Sequence, residues 1–140
     1  MRGYSVGTSD IIWAQPNISV FRTFTNPSRS LNSAFQISAT QDVSVSYTVD
    51  VASTLTLTGG ATGTVTLQYA DDSGFTTNVK TVQSSVNGNT GTLTIGLSLT
   101  QTGTCSLSGV IPAGKYVKLV TANTAGTPTF TFRAAQEVLL

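Results

Sequence analysis

The stretch DVSVSYTVDVASTLTLT, residues 42–58, alternates one apolar residue with one small polar residue almost without a break. A period of two is that of a β-strand, in which successive side chains point to opposite faces. The odd-numbered residues from Val43 to Val51 are therefore predicted to face a core, and the Ser, Thr and Asp residues between them to face water. Val and Thr suit a half-buried strand, because branched side chains pack well on a pleated surface.

The same alternation recurs along the chain, in AFQISAT, GTVTLQYA, GTLTIGLSL, YVKLVTA and TFTFRA. Segments rich in Gly, Asn and Pro separate these runs at 58–63, 87–91, 112–115 and 123–128, and such residues favour turns. Eight to nine strands, at about ten residues per strand and turn, predict an all-β, antiparallel β-sandwich or a barrel. Eight strands in two sheets favour a jelly roll over an immunoglobulin-type sandwich. In GTLTIGLSL, one strand is predicted to present Leu93, Ile95, Leu97 and Leu99 on one face.

Residues 1–33 differ from the rest, because they show no sustained alternation and carry the only Trp. They are predicted to form an extended N-terminal arm, followed by a sandwich domain at 34–140. Apolar residues make this arm a candidate for lying on its own domain or on a neighbouring subunit. Its candidate contact residues are Ile11, Ile12, Trp13, Phe21 and Phe24. The C-terminal residues Val138, Leu139 and Leu140 are predicted either to complete the last strand or to contact a neighbour.

The 140-residue chain is poor in charge, with 9% charged residues and a net charge of +1. In globular chains, charged residues usually make up about 25% of the sequence. A hydroxyl-rich surface has little of the charge that keeps copies apart, which suggests assembly, although a Thr-rich β-protein surface is the simpler alternative. The scattered basic residues argue against nucleic-acid binding. No apolar run is long enough to span a membrane, and no signal-peptide core is evident near the N-terminus.

The residues needed for common catalytic sites are missing. Without histidine, a Ser–His–Asp or Cys–His arrangement is excluded, and Asp42 and Asp50 lie at opposite ends of one predicted strand. The chain is therefore predicted not to be an enzyme and to need no cofactor or metal. Asp71 and Asp72 could bind calcium in the loop 71–78, but a solvated turn fits the spacing better. The single cysteine, Cys105, is predicted to be buried and inert.

Several stretches resemble small proteins encoded by tailed bacteriophages and prophages. They are SRSLNSAFQIS, VSYTVDV, DSGFTTNV, NGNTGTLTIGLSLTQT, GVIPAGKYVKLVTANTAGTPTFTF and QEVLL, and together they extend roughly over residues 28–140. The resemblance implies a virion component made in the host bacterial cytoplasm, and supplies no catalytic residues. One implied role is a head decoration, or cement, protein on the capsid exterior, whose partners are the major capsid protein and sister copies in a dimer or trimer.

Two other roles stay open from the sequence. A tail-fibre tip that binds a host receptor is the alternative within the same group of proteins. A carbohydrate-binding module outside any virion, with Tyr4, Trp13 and Tyr116 as candidate stacking residues, is supported only by the fold class.

Overall fold

The computed structural model describes residues 22–140, which form two antiparallel sheets of four strands each, and no helix occurs in this range. The predicted all-β sandwich is confirmed. Its strands are β1 (Phe24–Thr25), β2 (Phe35–Gln36), β3 (Val43–Leu55), β4 (Ala61–Ala70), β5 (Lys80–Asn89), β6 (Leu99–Ile111), β7 (Tyr116–Ala125) and β8 (Thr129–Leu139).

The strand order is that of a jelly roll. The first sheet runs β1-β8-β3-β6 and the second runs β2-β7-β4-β5. The first strand thus pairs with the eighth, the second with the seventh, the third with the sixth and the fourth with the fifth. This nesting corresponds to one long hairpin folded over two sheets, as in a jelly roll of two Greek keys.

The core lies between the sheets and follows the predicted alternation. The odd-numbered residues from Val43 to Val51 are at most 2% exposed. Leu67 of β4 and Leu119 of β7 face them from the second sheet, and Cys105 is buried as predicted. The apolar phase of each strand thus buries one face of each sheet against the other, which is the main source of stability in such a fold.

The prediction of a strand over GTLTIGLSL is wrong, because β6 begins only at Leu99. Leu99 pairs with Leu55, the last residue of β3, and the chain then turns through Thr56 and Gly59 toward β4. Residues before Leu99 therefore have no continuing β3 to pair with. Leu93 N–H instead donates to the Thr56 carbonyl at 2.9 Å, and the segment 90–98 is a loop.

Part of the predicted arm belongs to the sandwich. Phe24 and Thr25 pair with β8, the Asn26 side chain donates to the Ala135 carbonyl at 2.9 Å, and Asn32 N–H donates to the Leu119 carbonyl at 2.8 Å. Residues 22–33 thus connect the two sheets. The remaining arm residues, including the candidates Ile11, Ile12, Trp13 and Phe21, lie outside the described residues.

Side chains of β5 close the side of the sandwich where the edge strands β5 and β6 meet. Gln83 accepts from Ser108 N–H at 2.7 Å, and Asn87 donates to the Thr104 carbonyl at 3.0 Å. Asn87 occupies the space that a side chain at Gly103 would need. These bonds satisfy edge backbone groups that would otherwise invite pairing with another chain.

Candidate interaction surfaces

Charge divides the two ends of the sandwich. We call the end that holds Val43, Ile111 and Leu139 the charged end, and the opposite end, which holds Leu55 and Leu99, the uncharged end. The sequence has no charged residue in 51–70, 81–114 or 119–132, and all strand ends and loops of the uncharged end fall within these segments. Asp50 and Arg133 are the charged residues that come nearest to it along β3 and β8. At about 3.4 Å per residue, Asp50 is on the order of 17 Å from Leu55.

Four large apolar side chains are exposed at the uncharged end, and we call them the apolar tip. They are Leu57 (55% exposed), Ile95 (60%), Leu97 (65%) and Leu99 (48%). Leu57 and Leu97 line one surface depression of about 340 Å³. Leu99 shares the inward phase of β6 with the buried Leu107, yet lies beyond the cover of the second sheet. The tip was not recognised in the sequence, because its residues were assigned to the buried faces of strands.

A second apolar surface lies at the charged end, on the outer face of the first sheet. Phe24, Val138 and Val110 fall on one row across β1, β8, β3 and β6, and we call them the apolar row. Phe24 is 60% exposed and Val110 52%, while Val138 is half-buried. The structure thus places two of the predicted contact residues, Phe24 and Val138, side by side.

The remaining C-terminal candidates have different surroundings. Leu139 is half-buried against the core as part of β8, which is the strand-completing alternative. Leu140 N–H donates to the Asp42 carbonyl at 2.9 Å, while its side chain is 45% exposed. Leu140 therefore remains available for contact, whereas Leu139 serves the fold.

A buried ionic network fixes the β1–β2 connection to the sandwich. Glu137 is 2% exposed and accepts two bonds from Arg29, Nε to Oε2 at 2.9 Å and Nη2 to Oε1 at 2.6 Å. The Tyr47 hydroxyl donates to Glu137 Oε2 at 2.6 Å. The Arg29 guanidinium lies 4.3 Å from the Phe35 ring centroid. Such a bidentate pair holds its partners in one geometry.

The protonation of this network follows from its surroundings. Burial raises the pKa of Tyr47 far above its usual value, and the hydrogen bond to Glu137 raises it further. The hydrogen bond to Glu137 likewise raises the pKa of Arg29, despite the opposing effect of burial. Both groups therefore keep their protons and donate to Glu137. The network thus uses both oxygens of Glu137 to join the β1–β2 connection to β3 and β8.

The loop 71–78 satisfies its carboxylates from within the protein. Asp72 Oδ1 accepts from the N–H groups of Thr76 and Thr77, both at 2.9 Å, and Asp72 Oδ2 accepts from the Thr76 hydroxyl at 2.7 Å. Asp71 pairs with Lys115 and accepts from Asn78 at 2.6 Å. Within residues 22–140, no three His, Cys, Asp or Glu side chains cluster as a metal site would require. The hydrogen bonds to Asp72 are those of a turn in which Asp accepts from nearby backbone N–H groups.

We predict that this loop loosens in acid. The hydrogen bond from Lys115 lowers the pKa of Asp71, and the hydrogen bonds from Thr76 lower the pKa of Asp72. A carboxylate whose pKa is lowered in the folded state stabilises the fold at any pH above its unfolded pKa, which is near 3.8. This stabilisation is lost as the pH falls through the lower folded-state pKa. NMR shifts of the Thr76 and Thr77 amide protons should therefore change with a midpoint below 3.8. A midpoint above that value, or the same transition in Asp72→Ala, would refute the assignment.

Comparisons with known proteins give one informative similarity. No protein-family model matches the chain, and no solved structure matches it. It is 35% identical over 132 residues to uncharacterized protein 443R of Invertebrate iridescent virus 6. The match covers 92% of this chain but 5% of that viral protein. No helix in residues 22–140 is long and apolar enough to cross a membrane. The chain is thus similar to a small part of a long viral protein whose name states no function.

Proposed function

We propose that this chain is a structural component of a virus particle that acts by binding its neighbours and catalyses no reaction. Its proposed role is that of a head decoration protein on the capsid exterior, made in the host bacterial cytoplasm. The major capsid protein and sister copies are its proposed partners. The observation that carries the proposal is the pair of exposed apolar surfaces on a sandwich with little charge.

The energetic argument is burial against neighbours. Each 100 Å² of apolar surface removed from water contributes about 2.5 kcal/mol before the cost of association. A single small contact is therefore weak, but a shell repeats it many times. Phe24 and Leu140 offer such surface near one another at the charged end, where the chain enters β1 and leaves β8.

The comparisons and the resemblance support a viral setting in different ways. The similarity to part of an iridescent virus protein supports a viral origin, and its 5% coverage of that protein supports a module that works within larger structures. The resemblance to tailed-bacteriophage proteins favours the capsid exterior. The full pairing of Glu137, Asp71 and Asp72 with internal donors supports a binding role over an acid–base one.

A tail-fibre tip that contacts a host receptor is the second candidate. The observation that favours it is that the similar stretch occupies so little of the iridescent virus protein, as a tip domain would within a long fibre chain. Under this role, either the loop 71–78 or the segment 123–128 would contact the receptor, because β4 and β7 place the two at opposite ends of the sandwich. Attachment to tails alone, with none on heads, would select the tip over the decoration protein.

The apolar row gives a direct test of the decoration role. Purified chain is mixed with heads that lack it and sedimented, and the bound fraction gives an affinity. Combining Phe24→Ser with Leu140→Ser should weaken binding at least tenfold, because two exposed apolar side chains contribute on the order of 1.4 kcal/mol or more when buried. Ser46→Ala, on the same outer face, is the matched control and should bind as the unaltered chain does. Equal binding by all three proteins would contradict the role assigned to Phe24 of the apolar row and to Leu140.

Deleting residues 1–21 tests the remaining arm candidates together. The truncation leaves Phe24 and Thr25 in place, so β1 still pairs with β8 and the sandwich should fold. We expect the truncated chain to keep its β-rich circular dichroism spectrum and to lose most of its binding to heads. Undiminished binding would remove Ile11, Ile12, Trp13 and Phe21 from the contact surface.

A further inference from the structure

Backbone hydrogen bonds hold the two segments that carry the apolar tip. Leu93 N–H donates to the Thr56 carbonyl, and Thr56 N–H donates to the Gly59 carbonyl, both at 2.9 Å. The Thr56 and Thr58 hydroxyls lie 3.0 Å apart. The first of these bonds connects the β5–β6 loop to the β3–β4 turn, and the other two order the turn itself. Leu57 and Leu97 are therefore presented from two segments that are joined by a backbone hydrogen bond. Contiguous exposed apolar residues with a polar rim mark contact sites on soluble proteins.

The chemistry around the tip restricts what can cover it. A partner that brought charged groups against this end would bury them without counter-charges, because segments 51–70 and 81–114 contain none. Burial of an unpaired charge is strongly unfavourable. We therefore expect the covering surface to be apolar and uncharged where it is buried against the tip.

The uncharged end of another copy has that composition. Its rim carries hydroxyls and amides, among them Thr58, Thr100 and Asn89, and each such group can both donate and accept hydrogen bonds. Thr58, Thr100 and Asn89 each make a hydrogen bond within the chain, but a hydroxyl or amide can make more than one, so a rim of this kind does not oppose a second copy. A two-fold interface places the same patch on both subunits, so the patch must complement itself. A patch without charge meets this demand because no like charges face each other.

We propose that the apolar tip is the contact surface between two copies of this chain. Leu57 and Leu97 of each copy pack against the tip of the other, and the charged ends point away from the contact. The inference rests on the proposed function for its place in a particle. It assigns sister copies to the uncharged end and leaves the apolar row, at the other end, for the capsid surface.

Self-association of the purified full chain is the test. Sedimentation velocity over a hundredfold range of concentration should show a concentration-dependent shift from monomer to dimer. Leu57→Ser combined with Leu97→Ser should raise the dissociation constant at least tenfold. The matched control is Phe24→Ser with Leu140→Ser, which also replaces two exposed apolar side chains by serine, but at the charged end. It should dimerise like the unaltered chain. Thermal unfolding at a concentration where all three proteins are monomeric should give similar midpoints, since both pairs lie on the surface.

A disulfide cross-link checks the geometry independently. The native Cys105 is buried, so Leu97→Cys adds one exposed thiol. Under mild oxidation it should form covalent dimers faster than Leu140→Cys does. Equal rates would contradict the assigned contact.

The outcomes separate this inference from the proposed function. A chain that remains monomeric at every concentration, or a tip variant that dimerises as well as the control, overturns the inference. In the first case, flotation of the monomer with phosphatidylcholine vesicles would identify lipid as the occupant instead. Binding to heads by a monomeric chain would retain the proposed function, whereas dimers that never bind heads or tails would retain the inference alone.

Discussion

Replacing Arg29 with alanine is expected to lower the free energy of unfolding by about 3 kcal/mol, because removal of one partner leaves a buried charge without compensation. Glu137 is 2% exposed and would keep only the Tyr47 hydroxyl as a donor among the described contacts. The variant also loses the guanidinium packed on the Phe35 ring. Because Arg29 is 21% exposed, some water can reach the gap, which places the loss at the lower end of the range for buried pairs.

Two variants provide the controls for this effect. Arg133 pairs with Asp50 at 3.2 Å but is 57% exposed, so Arg133→Ala should cost less than about 1 kcal/mol. Combining Arg29→Met with Glu137→Gln removes both charges and keeps an acceptor for Tyr47, so it should recover much of the loss. Urea unfolding of all three proteins gives the comparison. Equal losses in Arg29→Ala and Arg133→Ala would mean that the network contributes little.

Replacing Gly88 with alanine is expected to cost about 3 kcal/mol, from backbone strain and overpacking together. Gly88 has φ +120°, a conformation that side-chain-bearing residues rarely adopt. An added Cβ would lie 2.7 Å from Thr62 Cα and would also crowd the Ala61 carbonyl oxygen. Both neighbours are backbone atoms of β4, so relief requires the β4–β5 pairing to shift.

Gly96 is the matched control, since an added Cβ there meets nothing within 4 Å. Gly96→Ala should change the unfolding free energy by less than about 0.5 kcal/mol. Denaturant unfolding monitored by circular dichroism measures both variants. Similar stability of the two would contradict the close approach of β4 and β5 at Gly88.

The alternation of small polar and apolar residues was enough to predict the sheets but insufficient to place their ends. Val43 to Val51 were assigned correctly because their period of two coincides with burial on one face. The same period in GTLTIGLSL predicted a strand that does not form, since the pairing partner β3 ends at Leu55. A strand forms only where another strand is available to pair with it, and a local sequence pattern does not show where that partner ends.

In β6 the structure has a longer strand than the apolar pattern indicates. The residues around Cys105 alternate only weakly, yet the strand extends over thirteen residues because it pairs with all of β3. Its inward positions include Gly103, whose missing side chain leaves room for Asn87. Small residues at such positions weaken the apolar signal although they serve the packing.

The grouping of the candidate contact residues could be predicted only in part. Phe24 and Val138 do share a surface, but only the pairing of β1 with β8 brings them together. The Arg29–Glu137–Tyr47 network joins residues separated by up to 108 positions, so no local motif predicts it. The apolar tip was not predicted, because its leucines continue a strand-like alternation beyond the ends of β3 and β6.

The number of copies of this chain in purified particles tests the central claim most directly. Quantitative mass spectrometry of particles produced by the genome that encodes it gives the ratio of this chain to the major capsid protein. The account predicts a fixed ratio with many copies per head, lost when the apolar row is altered. Complete absence of the chain from mature particles, with the protein free in the lysate, would contradict it.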